Sequence, residues 1–202
     1  EAGFTEIVIN IHHFGEQIIS LLQANQHFGL TIHISDERTQ LLDTGGGIQK
    51  AATFFQGNEP FLVHNVDILS DTDLKAFYDY HVQSGNDATL LASRRKTSRY
   101  LLFDDTDRLC GWINKDTRQT KPEGFVYDPE RYRAYAFSGI HVISPTLFPY
   151  FQGWSGKFSI MDFYLQNCQE ARIGGCLTDT LQLIDIGKPE TLTQAEEFLK
   201  RI

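Results

Sequence analysis

Short apolar runs alternate with segments of helical periodicity along most of this 202-residue chain. The runs at Glu6–Ile11, Pro60–Asn65 and Asp87–Ser93 are typical of strands, and the second is expected to be buried on both faces. Apolar residues recur at helical spacing over Gly15–Ala24, which predicts an amphipathic helix. This alternation favours an α/β fold with a mixed, mainly parallel sheet.

The rest of the chain continues the pattern, with one antiparallel departure. Tyr100–Phe103 and Leu109–Asn114 flank a turn-forming run of aspartates and predict a hairpin. Lys115–Pro129 is polar and is expected to form an excursion or a flap. In chain order, the other predicted elements are strand Thr31–Ser35, helix Ile48–Phe55, a helix capped by Ser70 or Asp71 and running to Val82, strand Tyr132–Ile143, a short helix starting near Pro145, helix Ser159–Glu170, strands Arg172–Thr178 and Leu181–Ile186, and a helix from Pro189.

Two predicted strands end in an aspartate that is followed by turn signals. Asp67 follows the apolar run of PFLVHNVDIL, and Asp185 has the same place in LIDIGKP. Because ligands of open α/β sheets bind at the carboxyl ends of strands, we expect the two carboxylates to converge at one sheet edge. Such a pair suits Mg²⁺, which takes one or two carboxylates together with waters and substrate phosphates. Capping of the following helix is the alternative role for each aspartate.

Three further segments are candidates for ligand contact. Thr44–Gly47, with the sequence TGGG, is predicted to be a loop before a helix, where the missing Cβ atoms let a ligand approach the backbone. A plain turn is the alternative for that segment. Gly139 interrupts a predicted strand, as at a bulge or a close ligand contact. Lys157 lies in a loop before a helix, where it could meet a phosphate or remain solvated.

The composition is that of an ordinary globular protein, with 41% hydrophobic and 22% charged residues. The net charge of −8 argues against a nucleic-acid-binding protein, which would carry a basic surface. Arg94, Arg95, Lys96 and Arg99 form a basic cluster, for which a solvated surface is favoured over an anion site. No apolar run reaches the length of a membrane span. The three cysteines indicate free thiols in a reducing cytoplasm.

Taken together and in this order, the segments LLDTGGGIQKA, EPFLVHNVDILSDTDL, AFSGIHVI and LIDIGKPETL resemble the sugar-1-phosphate nucleotidyltransferases. The resemblance covers nearly the whole chain. Over Leu41–Leu74 the chain is most similar to the branch of N-acetylmuramate-1-phosphate uridylyltransferases and mannose- or heptose-1-phosphate guanylyltransferases. The resemblance implies a GT-A-like, Rossmann-related three-layer sandwich. It also implies Mg²⁺-dependent transfer of a nucleoside monophosphate from UTP or GTP to a sugar 1-phosphate, with release of pyrophosphate.

The same resemblance assigns roles to residues. It implies that Asp67 and Asp185 hold the catalytic metal, that Thr44–Gly47 contacts the nucleotide, and that Gly139 and Lys157 contact the sugar phosphate. Because the attacking phosphate is already a nucleophile, positioning and charge neutralisation would carry most of the catalysis. Members of the family begin with a strand and a GxGxR loop that holds the triphosphate. Neither is found in these 202 residues, which are therefore expected to be a nucleotidyltransferase domain without its first βα unit.

Two other functions remain open on the sequence. A non-catalytic protein of the same fold would bind or sense a nucleotide sugar without turnover. A GT-A glycosyltransferase would also place aspartates at strand ends but would release a nucleoside diphosphate, and the segment Asp185–Pro189 argues against it. The base, the sugar and the oligomeric state are not fixed by the sequence, a homo-oligomer being one alternative.

Overall fold

The computed structural model describes residues 2–55, 57–187 and 191–200. The chain divides into two compact units. The first comprises Glu1–Asn58 and Phe148–Tyr164, and the second comprises Glu59–Leu147 and Leu165–Ile202. None of the described helices is both long enough and apolar enough to cross a membrane.

A parallel pair of strands underlies the first unit. Strand β1 (Glu6–Ile11) pairs with β2 (Thr31–Asp36), and helix α1 (Gly15–Ala24) lies between them in the chain. Parallel neighbours need a crossover of this kind, because a tight hairpin can join only antiparallel strands. The predicted bounds of all three elements agree with the structure to within one residue.

Helix α2 (Asp43–Ala51) begins earlier than the sequence predicts. The prediction of a loop at Thr44–Gly47 is therefore wrong, because these residues form the first turns of the helix. The N–H groups of Gly45 and Gly46 both donate to the carbonyl oxygen of Phe158, at 2.9 and 3.3 Å. Glycine disfavours helix by its own propensity, so this tertiary contact supplies what the local sequence does not.

In the second unit, the strands of the main sheet are ordered β10-β5-β9-β6-β7-β8, and β3 also pairs with β9. The pairing of β10 with β5 is parallel, and the other pairings in this sheet are antiparallel. The α/β class and the mixed sheet are confirmed, as is the hairpin, which is formed by β6 and β7. The strands of this unit are β3 (Phe61–His64), β4 (Ile68–Ser70), β5 (Ala88–Ser93), β6 (Arg99–Phe103), β7 (Leu109–Asn114), β8 (Thr120–Lys121), β9 (Arg133–Ile143), β10 (Ile173–Thr178) and β11 (Leu183–Asp185).

Three more helices complete the chain. They are α3 (Leu74–Ser84), α4 (Ile160–Asn167) and α5 (Leu192–Leu199), and a 3-10 helix covers Pro145–Phe151. All were expected, with α4 shorter than its predicted range. Pro189, the predicted start of the last helix, lies outside the described residues.

Two predictions close to Asp67 are wrong. The side chains of β3 are only partly buried and His64 is exposed, because β3 is hydrogen-bonded to β9 along one edge. The cap of α3 is Asp73, whose carboxylate accepts the N–H of Ala76 at 2.9 Å, and not Ser70 or Asp71. The chain after Asp67 forms the short strand β4, which delays the start of the helix.

A buried histidine links α3 to the sheet. His81 is 1% exposed, with Nδ1 2.8 Å from the Thr89 hydroxyl and Nε2 2.8 Å from the Ser144 hydroxyl. Burial lowers the pKa of His81 to about 4, and burial lowers the pKa of His141 in β9 to about 3. Both imidazoles are therefore neutral in the folded protein at neutral pH.

These two histidines predict a loss of stability in mild acid. As pH falls below about 6.5, these histidines bind protons in the unfolded chain but not in the folded protein, so the free energy of unfolding decreases. The expected loss between pH 7 and pH 5 is about 2 kcal/mol for each histidine. Urea unfolding at both pH values checks this. Between pH 7 and pH 5, the free energy of unfolding should decrease less in His81→Gln than in the wild type. His13→Gln, at an exposed position, should show the same decrease as the wild type. Equal pH dependence in His81→Gln and wild type would contradict the assignment.

Candidate functional site

Asp67 and Asp185 lie side by side in the second unit. Strands β4 and β11 pair antiparallel, with Asp185 opposite Ile68. The N–H of Ile186 donates to the carbonyl oxygen of Asp67 at 2.7 Å. A Cβ atom placed on Gly187 would lie 3.1 Å from Asp185 Oδ1 and 3.3 Å from Asp67 Oδ2, so the two carboxylates face the same point. The structure thus brings the two predicted residues together.

Apolar packing holds this strand pair in place. Ile68 and Leu181, which lie beside the two aspartate segments, pack on a buried cluster. Asp67 is half-buried and Asp185 is exposed. The backbone is therefore anchored while the carboxylates remain open to a ligand. The buried cluster consists of Phe77, Leu91, Ile140 and Val142.

The paired carboxylates fit a magnesium ion. Mg²⁺ typically binds one or two protein carboxylates and completes its shell with waters and substrate phosphates, and two carboxylates that face one point meet that need. Within residues 2–55, 57–187 and 191–200, no group of three or more His, Cys, Asp or Glu side chains is placed to hold a metal. A magnesium ion at Asp67 and Asp185 would thus take its remaining ligands from water and substrate, and its binding there stays a prediction.

Gly139 adjoins the same strand pair. It lies within β9 at φ 81°, a left-handed conformation that favours glycine. Its carbonyl oxygen accepts the N–H of Asn65 at 3.0 Å. A Cβ atom there would lie 3.0 Å from Asn65 Nδ2 and 3.2 Å from Ile68 Cγ1. Gly139 is therefore packed against residues on both sides of Asp67, and its sugar-binding role stays a prediction.

The TGGG segment belongs to the first unit and packs against the chain itself. A Cβ atom on Gly46 would overlap the carbonyl oxygen of Gly156, and one on Gly45 would enter the ring of Phe158. The hydroxyl of Thr44 accepts the N–H of Ile160 at 3.0 Å. These glycines are required by internal packing, whatever ligand they also contact.

Lys157 lies in the segment that covers these glycines. It is exposed and is placed between Gly156 and Phe158, the two residues that contact the start of α2. The structure therefore brings Lys157 and Thr44–Gly47 into one neighbourhood. Their predicted contacts, with the sugar phosphate and with the nucleotide, stay predictions.

The sequence analysis missed Glu37. This residue follows β2, is only 4% exposed, and accepts the N–H of Leu42 through Oε2 at 3.1 Å. Its Oε1 is buried and makes no hydrogen bond in the part of the chain that the structure describes. A Cβ atom on Gly47 would lie 2.8 Å from this oxygen. The rule that singled out Asp67, an acid at the carboxyl end of a strand, would also have found Glu37.

The packing of Gly46 predicts a stability cost for any side chain there. Gly46→Ala should lower the free energy of unfolding by about 1–3 kcal/mol, because the added methyl meets the Gly156 carbonyl. Gly29→Ala is the control, since its Cβ would meet open space and the cost is only that of a left-handed backbone at φ 72°. Urea unfolding compares the two. A free energy of unfolding in Gly46→Ala equal to or above that of the wild type would contradict the packing argument.

Comparison with known proteins identifies the family. A family profile for nucleotidyl transferases matches residues 1–201. The N-acetylmuramate alpha-1-phosphate uridylyltransferase of Caulobacter vibrioides is 26% identical over an alignment 203 residues long, which covers 98% of this chain and 79% of that protein. The protein of the same name from Neisseria meningitidis is 44% identical over 78 residues, 39% of this chain and 33% of that protein. The mannose-1-phosphate guanyltransferase of Kluyveromyces lactis is 32% identical over 95 residues, 46% of this chain and 26% of that protein.

Solved structures share the fold. HddC from Yersinia pseudotuberculosis superposes with a TM-score of 0.72 at 20% identity, over 98% of this chain and 80% of that one. The structure of HddC with GMP-PN gives a TM-score of 0.71 over the same shares of the two chains. The expected nucleotidyltransferase fold and the resemblance stated from the sequence are confirmed. The chain belongs to the nucleotidyl transferase family.

Proposed function

We propose that this protein transfers a nucleoside monophosphate from UTP or GTP to a sugar 1-phosphate and releases pyrophosphate. The observation that carries the proposal is the pair of carboxylates, Asp67 and Asp185, that face one point beside β4 and β11. The names of the similar proteins agree with it, since they include uridylyl- and guanylyltransferases of sugar 1-phosphates. Neither the base nor the sugar follows from those names.

Asp67 and Asp185 are the residues that would hold Mg²⁺ in this reaction. When bound, the ion would neutralise the charge that develops on the phosphoryl group in transfer. The protein contributes rigid placement, because each aspartate belongs to or directly adjoins one of two paired strands, and Ile68 and Leu181 beside them pack on a buried cluster. Binding the two reactants in line lowers the entropic part of the barrier, and this step needs no protein base.

The nucleotide would contact α2 through its base and ribose more than through its phosphates. The N–H groups of Gly45 and Gly46 already donate to the Phe158 carbonyl, so they are not free to bind a phosphate. Gly45, Gly46 and Gly47 are buried, so the exposed Thr44 at the start of α2 is the residue of this segment that would contact a base or a ribose. We therefore assign Thr44–Gly47 to the base and ribose, and Gly139 and Lys157 to the sugar phosphate.

A pyrophosphate-release assay tests the proposal. The 202-residue chain and the complete product of its gene would each be incubated with Mg²⁺, UTP or GTP, and a panel of hexose 1-phosphates and amino-sugar 1-phosphates. Release that depends on both the nucleotide and the sugar 1-phosphate is expected from the complete product. Binding of a nucleotide sugar without release of pyrophosphate from any pair would contradict the proposal and favour a non-catalytic binding protein.

Asp67→Asn should lower this turnover by at least about a hundredfold, because an amide then replaces one of the two carboxylates that would bind the cation. The stabilisation that such a cation gives to transition-state charge is worth several kcal/mol. Asp79→Asn is the matched control. Asp79 lies on α3, where its carboxylate accepts a hydrogen bond from Nζ of Lys75. Its substitution should leave turnover unchanged. Circular dichroism would confirm that both variants are folded. Turnover of Asp67→Asn equal to that of Asp79→Asn would remove Asp67 from the site.

A further inference from the structure

The segment that joins β2 to α2 contains neither a helix nor a strand, yet it leads directly to Thr44. Glu37 is the first residue after β2, and Leu42 is the last residue before α2. Residues 38–41 between them are exposed. Thr44, which is assigned above to the base and ribose, is also exposed. The placement of Thr44 therefore depends on what holds this segment.

The backbone of Glu37 is fixed to its surroundings. Its N–H donates to the carbonyl oxygen of Ile11 at 2.8 Å, which joins it to β1. Its own carbonyl oxygen accepts the N–H of Gln40 at 2.9 Å and the Nδ1–H of His12 at 2.6 Å. Glu37 is therefore an anchored position from which a side chain can reach the next element.

The side chain of Glu37 extends to the start of α2. Its Oε2 accepts the N–H of Leu42 at 3.1 Å, and the residue is 4% exposed. On the other side of the carboxylate, a Cβ atom on Gly47 would lie 2.8 Å from Oε1 and 2.5 Å from Nδ2 of Asn10. The carboxylate is thus packed between the residue that precedes α2 and the third glycine of TGGG.

The position of Leu42 in turn affects that of Thr44, two residues further along the chain. The carbonyl oxygen of Leu42 accepts the N–H of Phe158 at 3.1 Å. The Oγ1 atom of Thr44 accepts the N–H of Ile160 at 3.0 Å, so the Thr44 hydroxyl keeps its own proton to donate. A ligand at Thr44 would therefore meet a hydroxyl group whose place is set by these contacts.

Stability alone does not explain the burial of this carboxylate. Oε2 accepts one hydrogen bond, whereas Oε1 has no donor in the part of the chain that the structure describes. Removing a carboxylate from water costs free energy that a single N–H donor does not offset. Because proteins break such folding rules mainly at functional sites, the feature indicates a role for Glu37 in function.

We propose that Glu37 is a positioning residue of the nucleotide site, whose carboxylate fixes Leu42 and thereby holds Thr44 for the base and ribose. The inference rests on the proposed function for the identity of the ligand. Glu37 acts through its neighbours, because its own side chain is buried. A segment that is not held must become ordered when the ligand binds, and that ordering lowers the affinity.

Two substitutions separate the length of this side chain from its charge. Glu37→Gln keeps the length and an oxygen that can accept the N–H of Leu42, whereas Glu37→Asp keeps the charge and shortens the side chain by one methylene group. Isothermal titration of the complete gene product with UTP and with GTP, in the presence of Mg²⁺ and without a sugar 1-phosphate, would compare both variants with the wild type. We expect Glu37→Asp to bind the nucleotide at least about fivefold more weakly, and Glu37→Gln to bind it within about twofold of the wild type.

Leu22→Ala controls for a general loss of stability. Leu22 is 7% exposed and lies on α1, so its substitution should lower the free energy of unfolding. It takes no part in the contacts described above between Glu37 and Thr44, and Leu22→Ala should therefore bind the nucleotide like the wild type. Urea unfolding would show that all three variants are folded at the temperature of the titration.

The proposal is overturned if Glu37→Asp binds the nucleotide like the wild type, or if Glu37→Gln loses as much affinity as Glu37→Asp. It is also overturned if Leu22→Ala loses as much affinity as Glu37→Asp, since the effect would then be one of stability. A wild type that binds neither UTP nor GTP would overturn this proposal and the proposed function together. A wild type that binds a nucleotide but releases no pyrophosphate would contradict the proposed function alone and leave the Glu37 result intact.

Discussion

The pairing of β4 with β11 is the contact on which the candidate site depends. Each strand has only three residues, and more than a hundred residues separate them in the chain. Strands this short gain little from their own hydrogen bonds, so the apolar packing of Ile68 and Leu181 must hold them together. Ile68 and Leu181 are partly buried against an apolar cluster, whereas Asp67 is half-buried and Asp185 is exposed. Loss of this packing would separate Asp67 from Asp185 without changing either side chain.

The negative charges of Asp67 and Asp185 are the reason that the same site would need a cation. Two carboxylates that face one point repel each other, and they repel every phosphate that approaches. A magnesium ion bound to the two carboxylates would offset this repulsion at the reacting phosphate. An acidic protein can bind anionic substrates in this way because local charges decide the field at short range.

The sequence predicted the elements whose pattern is strong in itself. The periodicity of α1 and the apolar run of β1 agree with the structure because their packing follows from local amphipathicity. Asp67 and Asp185 could be predicted because each follows an apolar run in the sequence. The start of α2 could not, since it depends on a hydrogen bond to Phe158, far away in the chain. Strand β4 was missed because three residues carry no periodic signal.

Binding of Mn²⁺ in place of Mg²⁺ tests most directly whether Asp67 and Asp185 form one metal site. Electron paramagnetic resonance would measure free Mn²⁺ during titration of the complete protein, of Asp67→Asn, of Asp185→Asn and of Asp71→Asn. Asp71 lies close by, and its carboxylate accepts the N–H of Gln182. Asp71→Asn therefore controls for the loss of a negative charge near the site. We expect each of the first two substitutions to weaken Mn²⁺ binding by at least about tenfold, while Asp71→Asn binds like the wild type. Wild-type affinity in both Asp67→Asn and Asp185→Asn would contradict the account.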